Sequence, residues 1–274
     1  MIARISTLAA ARRIAATAAV AVIAAGLAAC GGSGGIPGDA VAQVGADTIT
    51  KSALTHWVSA MIGGDYYEVT SQPAPSGLVS EPANYAACLA VLEPIAPSSG
   101  ASKPTGAVLA RKCQQLHQGV MEQALRFLIY ARWSLGEAAE QGITLSDAEV
   151  QQEFAKSKAE RFPKGQAELQ QYLANRHWTY TDELLLVKLD ALQEKVHQKL
   201  EHSLKGSKAL ASYGAKWIAA TNCRAGFVVY RCKQYKGPDQ LPGPSPAAML
   251  QEIGQWQPAT SHGFNRGTAK LPGT

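Results

Sequence analysis

The chain reads as a mainly α protein with a small β element. Three observations predict this. Within residues 113–154 apolar side chains recur at Leu116, Val120, Ala124, Phe127, Leu128, Ala131, Leu135 and Ala138, spacings of three and four that lay one stripe along a helix and not along a strand. A second stripe at Leu185, Leu189, Leu192, Val196, Leu200 and Leu204 repeats the pattern, with Lys188, Glu194, Lys195, Lys199 and Glu201 on its wet side. By contrast, residues 40–50 alternate apolar and polar around Gly45, Ala46 and Asp47, which predicts a strand, a tight turn and a short second strand.

Taken in order, Thr50 has the side chain to cap a helix on which Leu54, Trp57, Val58 and Met61 share a face, and Gly63 with Gly64 is expected to stop it. Residues 65–107 carry Pro73, Pro75, Pro82, Pro94, Pro97 and Pro104 among serine and glycine and read as a long irregular insertion, with one short helix around Tyr85 to Leu92. The central helix follows from Cys113. It ends at Gly142, a residue able to take positive φ, after about 28 residues or roughly 42 Å. Ser146 and Glu149 then form a capping box for the next helix, with Leu145 able to staple onto Val150. Phe162 and Pro163 break that helix, and residues 166–174 make a short third one with Leu169, Tyr172 and Leu173 inward. Thr181, Asp182 and Glu183 open the second long helix, residues 213–220 make one more, and residues 226–230 are a short β-rich run. Trp57 and Trp217 are expected in the core, where the two ends of the folded body meet.

With 274 residues, 46% of them hydrophobic and 17% charged, the chain can bury a core. Residues 1–29 read as a signal peptide, because Arg4, Arg12 and Arg13 precede an uncharged run to Leu27 that is short for a permanent span. The end of that run, Leu27-Ala28-Ala29-Cys30, resembles the lipobox of bacterial lipoproteins, which implies acylation of Cys30 and a location at the bacterial cell membrane on its extracytoplasmic side. Residues 30–39 then form a flexible tether, residues 40–237 the folded body and residues 238–274 a loosely structured tail, with a brief helix at 249–256. Loss of residues 1–29 removes three arginines and no acid, so the formal net charge of +5 falls to +2 and gives no case for nucleic acid.

Four cysteines remain: Cys88, Cys113, Cys223 and Cys232. An even number outside the cytoplasm points to two disulfides, and local pairing gives Cys88 to Cys113 and Cys223 to Cys232, with the other two connectivities open. The local closures would contribute about 3.5 and 2.5 kcal/mol. A zinc site wants close C-x-x-C pairs, which these spacings do not offer.

Three segments carry a resemblance to the SurA/PrsA family of extracytoplasmic foldases. Residues 41–57, VAQVGADTITKSALTHW, are similar to the opening strand, turn and helix of the SurA N-terminal chaperone domain. Residues 125–154 resemble that family's long helix, its G-I turn and its S-D-x-E-V restart, and residues 216–237 are similar to the closing end of secreted members. The resemblance implies an open helical chaperone domain, a C-terminal strand returning to pair with the N-terminal one, and an inner apolar strip only partly covered. Relatives often insert a parvulin prolyl-isomerase domain, and the twelve residues between Leu204 and Trp217 cannot house one. It therefore implies a holdase or foldase that binds unfolded secreted polypeptides without ATP. A prolyl isomerase and a lipoprotein binding one partner through residues 65–107 are the alternatives.

Other chemistry has little support. Glu194 and His197 share a helix face, but His202 turns away, and no third metal ligand is suggested. No nucleophile elbow, P-loop or dinucleotide fingerprint follows a strand, so no catalytic residue, metal or cofactor is expected. Tyr172, Trp178 and Tyr180 have the aromatic character for peptide capture at a cradle lip, with core packing as the other role.

Overall fold

The computed structural model describes residues 36–79, 85–95, 105–203 and 207–237, without the side chains of residue 95 and residues 200–203 and 207–211. Residues 1–35, where a signal peptide, an acylated Cys30 and most of a tether are expected, and residues 238–274, expected as a tail, lie outside them. The described chain is mainly helical, with seven helices and a three-stranded antiparallel sheet drawn from both ends of the body.

Strand β1 (Ala40–Val44) lies between β2 (Asp47–Thr50) and β3 (Thr221–Cys223). Ala42 stands opposite Ile49 on one side and Cys223 on the other. The β1–β2 turn needs the left-handed conformation at its first residue, and Gly45 supplies it with φ of 58°. The third strand is therefore Thr221–Cys223, whereas residues 226–230, expected as the β-rich run, form turns and irregular chain. Pairing with β1 decides the matter: the backbone of residues 221–223 finds hydrogen-bond partners there, whatever the propensity of the later Phe-Val-Val segment.

Thr50 caps α1 (Lys51–Thr70) by accepting the Ala53 amide. This helix does not stop at Gly63 and Gly64 but runs through them, because they face the turn after α5. A Cβ on Gly63 would lie 2.3 Å from the carbonyl oxygen of Arg176. The glycines are a contact surface and not a terminus. Hence residues 65–70, expected in the irregular insertion, complete α1, and the insertion further contains α2 (Ala86–Ile95).

Helix α3 (Gly106–Glu140) spans 35 residues, a full two turns more than the apolar stripe alone indicates, since Thr105 caps it ahead of Cys113. Its C-terminus closes with the Ile143 amide on the Ala138 carbonyl and the Gly142 amide on that of Ala139, Gly142 taking φ of 65°. Its stripe is buried at Leu116, Val120, Ala124, Leu128, Ala131 and Ala138 and partly buried at Phe127 and Leu135, so α3 runs through the core. Ser146 and Glu149 form the reciprocal capping box of α4 (Asp147–Arg161). Helices α5 (Gln166–Asn175), α6 (Tyr180–Ser203) and α7 (Ser207–Ala219) follow.

One core cluster joins β1, β2, α1 and the middle of α3 around Trp57, Trp133 and Trp217. A second joins the end of α1, α2 and the start of α3 around Tyr66, Leu92 and Leu116. The disulfide from Cys88 to Cys113, Cα atoms 5.9 Å apart, lies inside the second cluster; that from Cys223 to Cys232, 5.7 Å apart, closes the loop after β3. Residues 36–39, expected in the tether, belong to the body: the Arg224 guanidinium donates to the carbonyls of Ile36, Pro37, Gly38 and Ala40.

Candidate functional site

Where residues of the two core clusters come together, one face of α1 lines a cavity. Residues 51, 54, 55, 58, 59 and 62 share that face by their spacing, with Leu54 and Ile62 buried, Val58 half-buried and Thr55 and Ser59 exposed. Opposite stand His117, Gln118 and Met121 of α3; the segment Pro75–Val79 folds over one end, and Gly226 and Phe227 border the cavity as well. The cavity, partly open to solvent, has a volume of about 660 Å³, within the range of specific ligand sites.

Sequence dictates each wall. Leu78 is 1% exposed and Ala74 6%, so this part of the proline-rich insertion is anchored as core; the Cys88–Cys113 disulfide ties α2, against which Gly77 lies, to α3. His117 presents its ring edge to Tyr85, centroids 6.2 Å apart, and its Nδ1 is buried without a hydrogen-bond partner. His177, at φ of 57°, is set beside the cavity by the close passage of Arg176 along Gly63. Among the described residues the lining contains Lys51 and these two histidines and no carboxylate.

The aromatic residues expected at a lip lie elsewhere. Trp178 donates its indole N–H to the Ala60 carbonyl at 2.8 Å, fastening the α5–α6 turn to the other side of α1. Tyr172 is stacked by both Arg161 and Arg176 and meets Phe162 and Trp178 edge-on. Tyr180 packs edge-on against Phe154 and donates to Gln151. These three side chains brace α4, α5 and α6; none of them lines the cavity.

Charged groups elsewhere hold joints together. Glu137 accepts from Lys216, Trp217 and Gln141. Burial alone would raise its pKa, but those bonds outweigh it and hold the carboxyl below the usual range. Asp182 accepts from His56 at 2.8 Å and from the Thr179 amide at 2.7 Å, and in return Thr179 Oγ1 accepts the Asp182 amide, so Thr179 caps α6 two residues ahead of Thr181, where the sequence opened the helix. Asp65 is different. Its Oδ2 is buried without a partner, and desolvation pushes its pKa up to about 6 despite a hydrogen bond from Gln123.

Among the described residues no three His, Cys, Asp or Glu side chains gather as a metal site, and His197 is exposed on α6. No described helix is long and apolar enough to cross a membrane. No family model, curated protein or solved structure matches the chain. The cavity was not legible as a site because its residues come from six separate stretches of the chain. Its one local signal was the 51, 55, 58, 62 spacing on α1, which adds a half-exposed row beside the buried one.

Proposed function

We propose that the protein is an extracytoplasmic holdase or foldase chaperone of the SurA/PrsA kind, anchored at the bacterial membrane through acylated Cys30, that shields apolar segments of unfolded secreted polypeptides without ATP. The observation that carries this reading is the cavity along α1. It has an apolar floor of Leu54, Val58 and Ile62, a rim of Thr55 and Ser59, and a wall contributed by the disulfide-tied insertion. An apolar groove with a polar rim is suited to binding other chains. The helix-and-strand order and the return of β3 to β1 agree with the resemblance drawn from residues 41–57, 125–154 and 216–237. The groove beside α1, and not an open strip on α3, is the client site in this reading.

Aggregation of an unfolded reporter tests it. Light scattering should be suppressed at near-stoichiometric amounts of the purified protein with no nucleotide present, and Val58→Glu should abolish the effect while circular dichroism remains that of the parent. Absence of protection across several reporters overturns the proposal. Acceleration of a proline-limited refolding reaction would replace it with an isomerase.

A further inference from the structure

We infer that Asp65 and Gln123 form a clamp between α1 and α3 that one proton closes: taken up from solvent onto Asp65 Oδ2, it bridges to Gln123 Oε1 and fixes together two helices that wall the groove. The inference concerns those walls and holds whatever the groove binds.

The sequence sets a carboxyl and an amide on a largely apolar seam. Ile62 and Tyr66 of α1 pack with Leu116 and Val120 of α3 in the second core cluster, and Ala124, next to Gln123, belongs to the first. The two polar side chains share a hydrogen bond, the Gln123 amide donating to the carboxyl. Asp65 Oδ2 is buried without a partner, so the bond goes to Oδ1; Gln123 Oε1 is also buried and unpartnered among the described residues. A carboxylate oxygen and an amide oxygen both only accept. An ionised Asp65 therefore leaves two buried acceptors unsatisfied on side chains that are already joined, and each carries its own desolvation cost. One proton answers both. A protonated carboxyl donates one bond and accepts another, as a primary amide does, and the pair closes into a ring of two bonds.

The surroundings favour that proton. Burial disfavours the ionised form, and Glu68 on the same helix adds its negative charge to the effect, while Arg176 from the turn between α5 and α6 opposes it. From α3 the group that reaches Asp65 is the neutral Gln123. Arg176 is engaged elsewhere: its Nη2 donates to Glu68, and its guanidinium lies over the Tyr172 ring, 4.4 Å from the centroid. With the carboxyl titrating at about 6, the clamp is closed at pH 5 and open at pH 7.5. Its place gives the proton something to control. Asp65 follows Ile62 of the groove by three positions on α1, and Gln123 follows Met121 of the groove by two on α3.

Thermal unfolding of Gln123→Leu at the two pH values tests the ring. The fall in midpoint relative to the parent should be larger at pH 5 by about 3 °C, because two bonds are lost there and one at pH 7.5. In the Asp65→Asn background, where an amide makes both bonds at any pH, the same replacement should cost equally at both. A fall larger at pH 7.5 would mean that Gln123 only donates to a carboxylate, and equal falls in the parent background would mean that no proton is shared; either overturns the inference. Should Gln123→Leu not fold, carbon-13 NMR of the unaltered protein decides: the Asp65 Cγ and Gln123 Cδ resonances should move together with a midpoint of about 6. A midpoint below about 4 assigns Asp65 to an ion pair with Arg176, whose Nε is buried and unpartnered, and overturns the clamp. Hydrogen exchange, corrected for its intrinsic pH dependence, locates the effect. Protection of residues 58–66 and 117–126 should be about tenfold higher at pH 5 than at pH 7.5, and alike at both in Asp65→Asn. Protection of the parent that is the same at both values overturns the link to the groove walls.

Discussion

The backbone of α1 at Gly63 passes so close to Arg176 that a Cβ there would lie 2.3 Å from the Arg176 carbonyl oxygen. The same relationship recurs at Gly136, where a Cβ would meet the Trp217 ring at 2.2 Å. In both places the missing side chain lets two distant segments touch.

Replacement of Gly63 by alanine therefore has the opposite sign to helix propensity. Propensity alone would favour alanine by about 1 kcal/mol, but displacing a backbone carbonyl costs about 1–3 kcal/mol and should win. Gly214, inside α7 with nothing within 4 Å of a built Cβ, is the control, and there alanine should stabilise. Urea unfolding of both variants checks the pair: a stabilised Gly63→Ala would contradict the close approach.

Asp65 gives the protein a stability term that weakens as pH rises. Its carboxyl titrates at about 6 in the fold against 3.8 in the reference state, so the folded form binds the extra proton between those values. The contribution is present below pH 4 and declines through pH 6. Asp65→Asn should accordingly stabilise at pH 7.5, by an amount on the order of 1–3 kcal/mol, and do little at pH 4. Thermal unfolding at the two pH values measures it; an equal shift at both would contradict the buried carboxylate.

Glu137 should behave in the opposite sense. Its carboxyl is held below the ordinary range by Lys216, Gln141 and Trp217, so its stabilisation is present above the unfolded value of 4.5 and is lost as pH falls through the folded one. Glu137→Gln keeps the shape and removes the charge. A loss of about 1–3 kcal/mol at pH 7 is expected, shrinking below pH 4. Denaturant titrations at both pH values test this, and a loss independent of pH would assign Glu137 a role in packing alone.

Removal of the Cys88–Cys113 disulfide should cost about 3 kcal/mol and act locally. In the double alanine variant, hydrogen exchange should quicken in α2 and residues 74–79 before it does in β1 or the middle of α3, because the bridge lies in the second core cluster and not the first. Uniform quickening across the body would contradict this division.

Features set by neighbours in sequence were legible there. The Ser146–Glu149 cap, the end of α3 at Gly142, the short helix bearing Cys88 and the local cysteine pairs all depend on residues a few positions apart or on spacing alone. What was misread depends on remote partners. Gly63 and Gly64 look like a helix stop until Arg176 is beside them; Thr221–Cys223 looks like loop until β1 offers its edge. Tyr172, Trp178 and Tyr180, read as capture or packing residues, meet Arg161, Arg176, Gln151 and the Ala60 carbonyl, partners that their own stretch of sequence does not announce. The groove joins α1, α3, the 74–79 segment and residues 226–227, a juxtaposition that no single stretch encodes.

The position of β1 between β2 and β3 has a kinetic consequence. A chain that emerges from its N-terminus can form the β1–β2 hairpin at once, since the two strands are joined by a tight turn. The opposite edge of β1 remains unpaired until residues 221–223 arrive, after seven helices, and only then do Thr221, Trp133 and Trp217 close their hydrogen-bonded chain. Such a long wait for the last partner makes completion slow relative to the local helices. During synthesis this protein would itself spend time with one edge of β1 unsatisfied, a strand edge open to any chain that can pair with it.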